Sequence, residues 1–214
     1  MNWLDRLRSP RSEASTSAPA IRDTLLRWQA LPLPDLDRPH FDARYVVINT
    51  AATGLDLERD RVLAIGAIII DEGMIDPRQS IYAPVDENPA DTLAEVLHFC
   101  GKLPRVVFNA GFNRMALERL WAQWLKIEPE ALWLDLFWLL PAVFRPELDG
   151  PTRLAQWMTI FGIDTFQRHH ALGDAWAIAQ LFIALQGHAT RLGAATARAL
   201  AELERTRRQF TTPA

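Results

Sequence analysis

A chain of 214 residues, 49% hydrophobic and 23% charged, suffices for one ordinary globular domain with a core of its own. Its formal net charge of -3 excludes a globally cationic nucleic-acid binder and leaves room only for a local basic face. The single cysteine, Cys100, excludes an internal disulfide and reads as a small core hydrophobe in a reducing compartment. No apolar run approaches 18 residues and MNWLDRLRSP lacks an apolar signal core, so a cytoplasmic protein with no membrane span is expected.

In chain order, a short amphipathic piece (Trp3, Leu4, Leu7) passes into the Ser/Pro/Ala-rich run RSPRSEASTSAPA, a linker composition. Ile21 to Ala30 has helical spacing, and LPLPDLDRP reads as an extended, proline-punctuated segment across the surface. The folded core is expected from about Phe41. Three strands follow, Arg44 to Ala51, Arg61 to Ile70 and Arg78 to Val85, with Asp71-Glu72-Gly73 as a hairpin turn. Then come a helix at Thr92 to Phe99, a strand at Arg105 to Asn109 and a helix at Asn113 to Leu125. Trp133 to Leu140 combines a strand end with a helix stopped by Pro141. Further helices are expected over Thr152 to Phe161, Ala171 to Gln186 and Thr190 to Gln209. The expected organisation is an N-terminal arm (1–40), an α/β domain (41–188) and a C-terminal helical extension (189–214). Three antiparallel strands followed by alternating helices and strands make a mixed sheet with helices on both faces.

The stretch YVVINTAATGL carries an apolar strand that ends on a polar tip, a common way for α/β folds to deliver side chains into a cleft. Three motifs occur in order: NTAATGLDLERDRVLAIGAIII, VVFNAGFNRMALERL and HHALGDAWAIAQLF. Together they resemble the three motifs of the DEDDh 3′–5′ exonuclease family, which includes the proofreading subunit of bacterial replicative DNA polymerases and RNase T. The resemblance covers Tyr45 to Leu185 and implies an RNase H-like five-stranded sheet. It also implies a two-metal hydrolytic site in which four carboxylates hold Mg²⁺ or Mn²⁺ and a histidine acts as general base.

Residue by residue, the chain departs from that pattern. The two acids of the first motif fall on Asn49 and Ala51, and the acid of the second falls on Asn113. Only Asp174, with His169 five residues before it, keeps the third motif, so Asp174 is the one metal ligand left. Thr53, Gly54, Asn109 and Phe112 match the scaffold and are candidates for the substrate cleft. If each metal contributes several kcal/mol to the transition state, losing both costs on the order of 5–10 kcal/mol, or roughly four to seven decades in rate. A pseudo-exonuclease with no cofactor is therefore expected, with His169 and Asp174 vestigial. The acids Asp56, Glu58, Asp60 and Glu118 read as surface charge.

Helical spacing puts Ala171, Asp174, Ile178, Leu181 and Leu185 on one face, where a carboxylate requires a partner. The expectation is that the Asn49 and Asn113 amides donate to Asp174 in place of the metals. Asp135 is expected to cap a helix, and His40, His98 and His188 to be structural or surface residues. The short link DENPAD replaces the longer His-Gly-Ile insertion usual in active relatives and thins one wall of the cleft.

Three functions remain open at this point. One is a scaffold that binds a protein partner through exposed members of its Trp-rich helices (Trp121, Trp124, Trp138, Trp157, Trp176). A second is a binder of single-stranded nucleic acid that lost cleavage, with Arg105, Arg114 and Arg168 near the motifs. The third is a 3′–5′ exonuclease with rearranged ligands, dependent on Mg²⁺ or Mn²⁺. The partner and the oligomeric state are not encoded in any of these motifs.

Overall fold

The computed structural model describes residues 18–144 and 153–211. The amphipathic piece at Trp3 to Leu7, most of the Ser/Pro/Ala-rich run and Thr152 lie outside the described residues.

Five strands form one sheet: β1 (Arg44–Ala52), β2 (Val62–Asp71), β3 (Met74–Pro84), β4 (Arg105–Val107) and β5 (Trp133–Asp135), in the order β3-β2-β1-β4-β5. β1, β2 and β3 pair antiparallel, while β4 and β5 run parallel to β1. This is the expected mixed sheet. The β2–β3 hairpin closes on Glu72 (φ 51°) and Gly73 (φ 76°), the two left-handed residues of the turn type that matches strand twist.

Alternation along β1 divides the core in two. Val46 and Ile48 face one side, with Ile65, Leu93, Leu97 and Trp121, under α1 (Ala18–Ala30), α2 (Ala90–Cys100) and α3 (Ala110–Leu120). Tyr45 and Val47 face the other, with Leu136, Trp157, Ile178, Leu181 and Leu185, under α4 (Leu136–Val143), α5 (Leu154–Phe161), α6 (Ala171–Arg191) and α7 (Ala197–Thr211). α1 belongs to the core on the Val46/Ile48 side: Leu25 and Trp28 are buried there, and the Trp28 indole donates to Gly101 O at 3.1 Å. The core thus begins well before Phe41, because two apolar residues three apart on α1 find a partner surface in α2.

Pro141 does not stop α4, which runs on to Val143. It sits in the last turn, where its missing N–H removes only one bond. The helix expected over Asn113 to Leu125 is α3 followed by a π-helical turn, Trp121–Leu125. α6 runs one turn past Gln186, and the expected C-terminal helix starts at Ala197, after a turn through Gly193 (φ 86°). The proline-rich segment reaches that turn, where His40 N–H donates to Ala195 O at 3.0 Å and Arg198 N–H to Leu36 O at 3.1 Å. No described helix is long and apolar enough to cross a membrane. Cys100 is fully buried, and burial pushes its thiol up to about 11, so it is an unreactive core residue.

Candidate functional site

The carboxyl ends of the parallel strands β1, β4 and β5 converge on a cleft of about 590 Å³, where open α/β sheets bind ligands. Asn49, Thr50 and Ala51 enter it from β1, Phe108 and Asn109 from the end of β4, and Phe112 and Asn113 from α3. His169 and Asp174 come from the start of α6, with Phe137, Arg153, Leu154 and Gln156 closing the far wall. The fold thus brings Asn49, Ala51, Asn113, His169 and Asp174 together, with Gly54, Asn109 and Phe112 beside them. Thr53 lies just behind.

Two small residues set how closely α6 approaches. A side chain at Gly66 on β2 would collide with the Ala171–Leu172 backbone, and one at Gly173 with Gln167 O. The first turn of α6 therefore lies directly on the sheet, and its retained carboxylate is carried down to the tip of β1. The tip itself is closed behind by a short loop. Asp60 accepts from Thr53 Oγ1 (2.8 Å) and from Asp56 N–H (2.9 Å), in space that a side chain at Gly54 would fill. Asp60 thus closes this surface loop, which accounts for the surviving Thr53-Gly54 pair.

Asn113 joins β1 to α3. Its Oδ1 accepts from both Thr50 N–H and Thr50 Oγ1–H at 2.8 Å, and its Nδ2 donates to Phe108 O at 2.9 Å. The Thr50 backbone donor fixes which end of the amide is oxygen. Asn109 holds a left-handed conformation (φ 69°) at the start of α3 and presents its N–H, with that of Ala110, to the two Asp135 oxygens at 2.8 Å each. Asp135 also caps α4, accepting from Phe137 N–H at 3.0 Å, as expected. One buried carboxylate therefore positions two helix starts on the floor of the cleft.

The expected amide partners of Asp174 are not its partners. Asn49 Nδ2 reaches Ala171 O at 3.4 Å, and the Asn113 amide is fully used on Thr50 and Phe108. Asp174 instead pairs with the Arg168 guanidinium, six residues earlier, in the loop that leads to α6. The physical reason is charge: a largely buried carboxylate is better served by a cation than by neutral amides already engaged elsewhere. Burial pushes the Asp174 carboxyl above its usual range, and Arg168 opposes that shift. The prediction that Ala171, Asp174, Ile178, Leu181 and Leu185 share a buried face holds. His169 stands exposed beside this pair with φ 60°, and His170 caps α6, its Nδ1 accepting from Gly173 N–H at 3.3 Å.

Of the other basic residues read as near the motifs, Arg105 is fully buried and Arg114 pairs with Glu118 at 2.8 Å on the surface. Glu118 is therefore not a spare ligand. The residues the sequence did not single out are Phe108, Phe137, Arg153, Leu154 and Gln156. Phe108 sits within the second motif but at none of its matched positions, and no motif marks the others, which reach the cleft from helix starts that only the fold brings round.

The donor set does not fit a two-metal site. Asn49 and Asn113 supply only neutral oxygens, that of Asn113 already accepting from Thr50, Ala51 supplies none, and the one carboxylate carries a guanidinium. Among the described residues no group of three or more His, Cys, Asp or Glu is arranged to hold a metal ion.

No family model matches the chain, and no curated protein does. Solved structures do. The fold is similar to that of exonuclease I, at a TM-score of 0.52 and 14% identity over 70% of this chain. It is similar to E. coli exonuclease I in complex with a dA16 oligonucleotide at 0.53 and 18%, and to the zinc-bound E. coli exonuclease I–ssDNA complex at 0.53 and 16%. In each case the match covers 42% of the exonuclease chain, so this protein corresponds to less than half of it. At these identities the likeness is one of fold: the chain has the mixed-sheet α/β, RNase H-like fold seen in those structures.

Proposed function

We propose that this chain is a catalytically degenerate member of the DEDDh exonuclease group that holds single-stranded nucleic acid in its cleft without cutting it. The observation that carries the reading is the Arg168–Asp174 pair. The last carboxylate of the motif set is neutralised from within the chain, at the place where a nuclease of this group needs anionic ligands. With Asn49, Ala51 and Asn113 neutral, Asp174 paired and Arg153 on the wall, the cleft offers no unpaired acid from those motif positions to repel a phosphate. Phe108, Phe112 and Phe137 add ring surface that suits unstacked bases. The single-stranded DNA bound by the exonuclease I neighbours supports the ligand class. The reading makes binding independent of Mg²⁺ and Mn²⁺ and requires no cofactor.

The test is to incubate purified protein with labelled single-stranded DNA and RNA, with and without Mn²⁺, following retention and shortening together. The expected outcome is retention without shortening, unchanged by EDTA and falling steeply with salt. Mn²⁺-dependent release of nucleotides that Asp174→Ala abolishes overturns the reading in favour of a rearranged nuclease. Absence of retention at low salt overturns it in favour of a protein-binding scaffold.

A further inference from the structure

A row of residues crosses the sheet under the start of α6. Asn49 on β1 pairs with Gly66 on β2, and Gly66 pairs with Tyr82 on β3. The first two meet Ala171. Tyr82, at the outer end, meets His170: the rings are stacked with centroids 4.5 Å apart and an interplanar angle of 18°. Phe166 approaches the same imidazole edge-on, at 5.5 Å and 63°. Both outer rings face solvent, Tyr82 at 45% exposure and Phe166 at 66%. This cluster belongs to neither core, and the cleft residues do not include it.

We propose that Tyr82 and Phe166 form a stacking platform for a nucleobase of the strand whose neighbouring nucleotides occupy the cleft. The inference rests on the cleft reading above and extends it to a second subsite. Position supports it. Tyr82 lies two strands from Asn49, about 9–10 Å at ordinary strand spacing, which a stacked single strand covers in roughly three nucleotides at ~3.4 Å each. His169 and His170 are consecutive, so the cleft and the platform adjoin at one backbone step. The imidazole between the rings is fixed by its bond to Gly173 N–H, which holds the platform ready without further ordering. Composition favours a base over a protein partner. The segment Asp164 to His170 (DTFQRHH) contains no Leu, Ile, Val or Met and carries Arg168 beside Phe166. A lone ring in a polar loop suits sequence-tolerant stacking better than the apolar centre of a protein interface.

The test is fluorescence anisotropy with a labelled oligo(dT) and with the same oligonucleotide made abasic at all but the labelled end. Wild type is expected to prefer the base-bearing strand. Tyr82→Ala and Phe166→Ala are each expected to weaken binding to it about tenfold or more, and Tyr82→Phe to retain it. On the abasic strand all four proteins should bind alike, since only phosphate contacts remain. Thermal unfolding of the variants checks that these exposed substitutions leave the fold intact. Alanine variants that bind oligo(dT) within about twofold of wild type overturn the platform while leaving the cleft reading in place, and a wild type indifferent to the missing bases overturns the platform together with the base contacts of the cleft rings. A wild type that binds neither strand overturns the cleft reading, and the platform with it.

Discussion

At position 113 a carboxylate and an amide have nearly the same size, so hydrogens rather than volume decide which one the site accepts. The Asn113 oxygen is committed to two donors of Thr50 and its nitrogen to the Phe108 carbonyl, in a side chain only 5% exposed. An aspartate keeps the first pair of bonds and turns an ionised oxygen toward the carbonyl. Asn113→Asp is therefore expected to destabilise the protein by about 1–3 kcal/mol at pH 7, the cost of a buried acceptor left facing an acceptor. The loss should shrink at acid pH, where a protonated carboxyl again donates to Phe108 O. Urea unfolding at pH 7 and pH 4 measures both, and an unchanged midpoint at pH 7 rules the account out. The same residue shows where reading the chain stops. The resemblance implied that Asn49, Asn113 and Asp174 share one cleft, and the fold does bring them together. It could not assign their hydrogen bonds, which depend on the rotamer of Asn113 and on a loop cation, Arg168, that no periodicity links to Asp174.

Element by element, the strands and the hairpin turn were legible because apolar, β-branched runs and the Asp71-Glu72-Gly73 segment encode them locally. The docking of α7 was not, since it depends on one glutamate meeting a strand end 69 residues earlier. Glu204, buried on α7, accepts from Asp135 N–H at 2.8 Å and from Arg208 at 2.8 Å, and Arg208 also reaches Asp135 Oδ2 at 3.4 Å. Through Asp135 the helix thus supports the starts of α3 and α4 on the cleft floor. Burial raises the folded-state pKa of Glu204 above its ordinary 4.5, aided by the nearby Asp135 charge, while the Asp135 N–H and Arg208 oppose the shift. As pH rises from the ordinary glutamate range, the unfolded chain releases its proton first, so an ionised Glu204 lowers stability at neutral pH and has no such effect below that range. Glu204→Gln keeps an acceptor for Asp135 N–H and removes the titration. The stability of Glu204→Gln relative to wild type should accordingly rise between pH 4 and pH 7 in parallel urea titrations. A flat difference, or one that falls with pH, contradicts the assignment.

Across the whole molecule the sheet divides two cores, and the side under α1, α2 and α3 contains a charge that its apolar pattern does not announce. Arg105 opens β4, a position that in sequence invites a surface role near the second motif. Strand alternation instead turns it inward beside Val46 and Ile48, where it is fully buried. Its guanidinium lies between the Trp121 and Trp133 rings, at 4.7 and 5.1 Å, and none of its three nitrogens has a hydrogen-bond partner among the described residues. Each ring contributes about 2 kcal/mol when desolvated, against a desolvation cost of several kcal/mol for a buried ion together with its unmade hydrogen bonds. Burial accordingly pushes the Arg105 pKa down. The sum leaves Arg105 a net cost to the fold, and a long apolar side chain of similar reach should fill the slot between the two tryptophans more favourably. Arg105→Met is expected to raise stability by about 1–4 kcal/mol, measured as a higher urea midpoint with an unchanged slope. Oligonucleotide retention should stay at the wild-type level, because the guanidinium reaches neither the cleft nor the Tyr82–Phe166 platform. A variant that unfolds at lower urea would show that the two indole faces hold the cation more strongly than its burial costs.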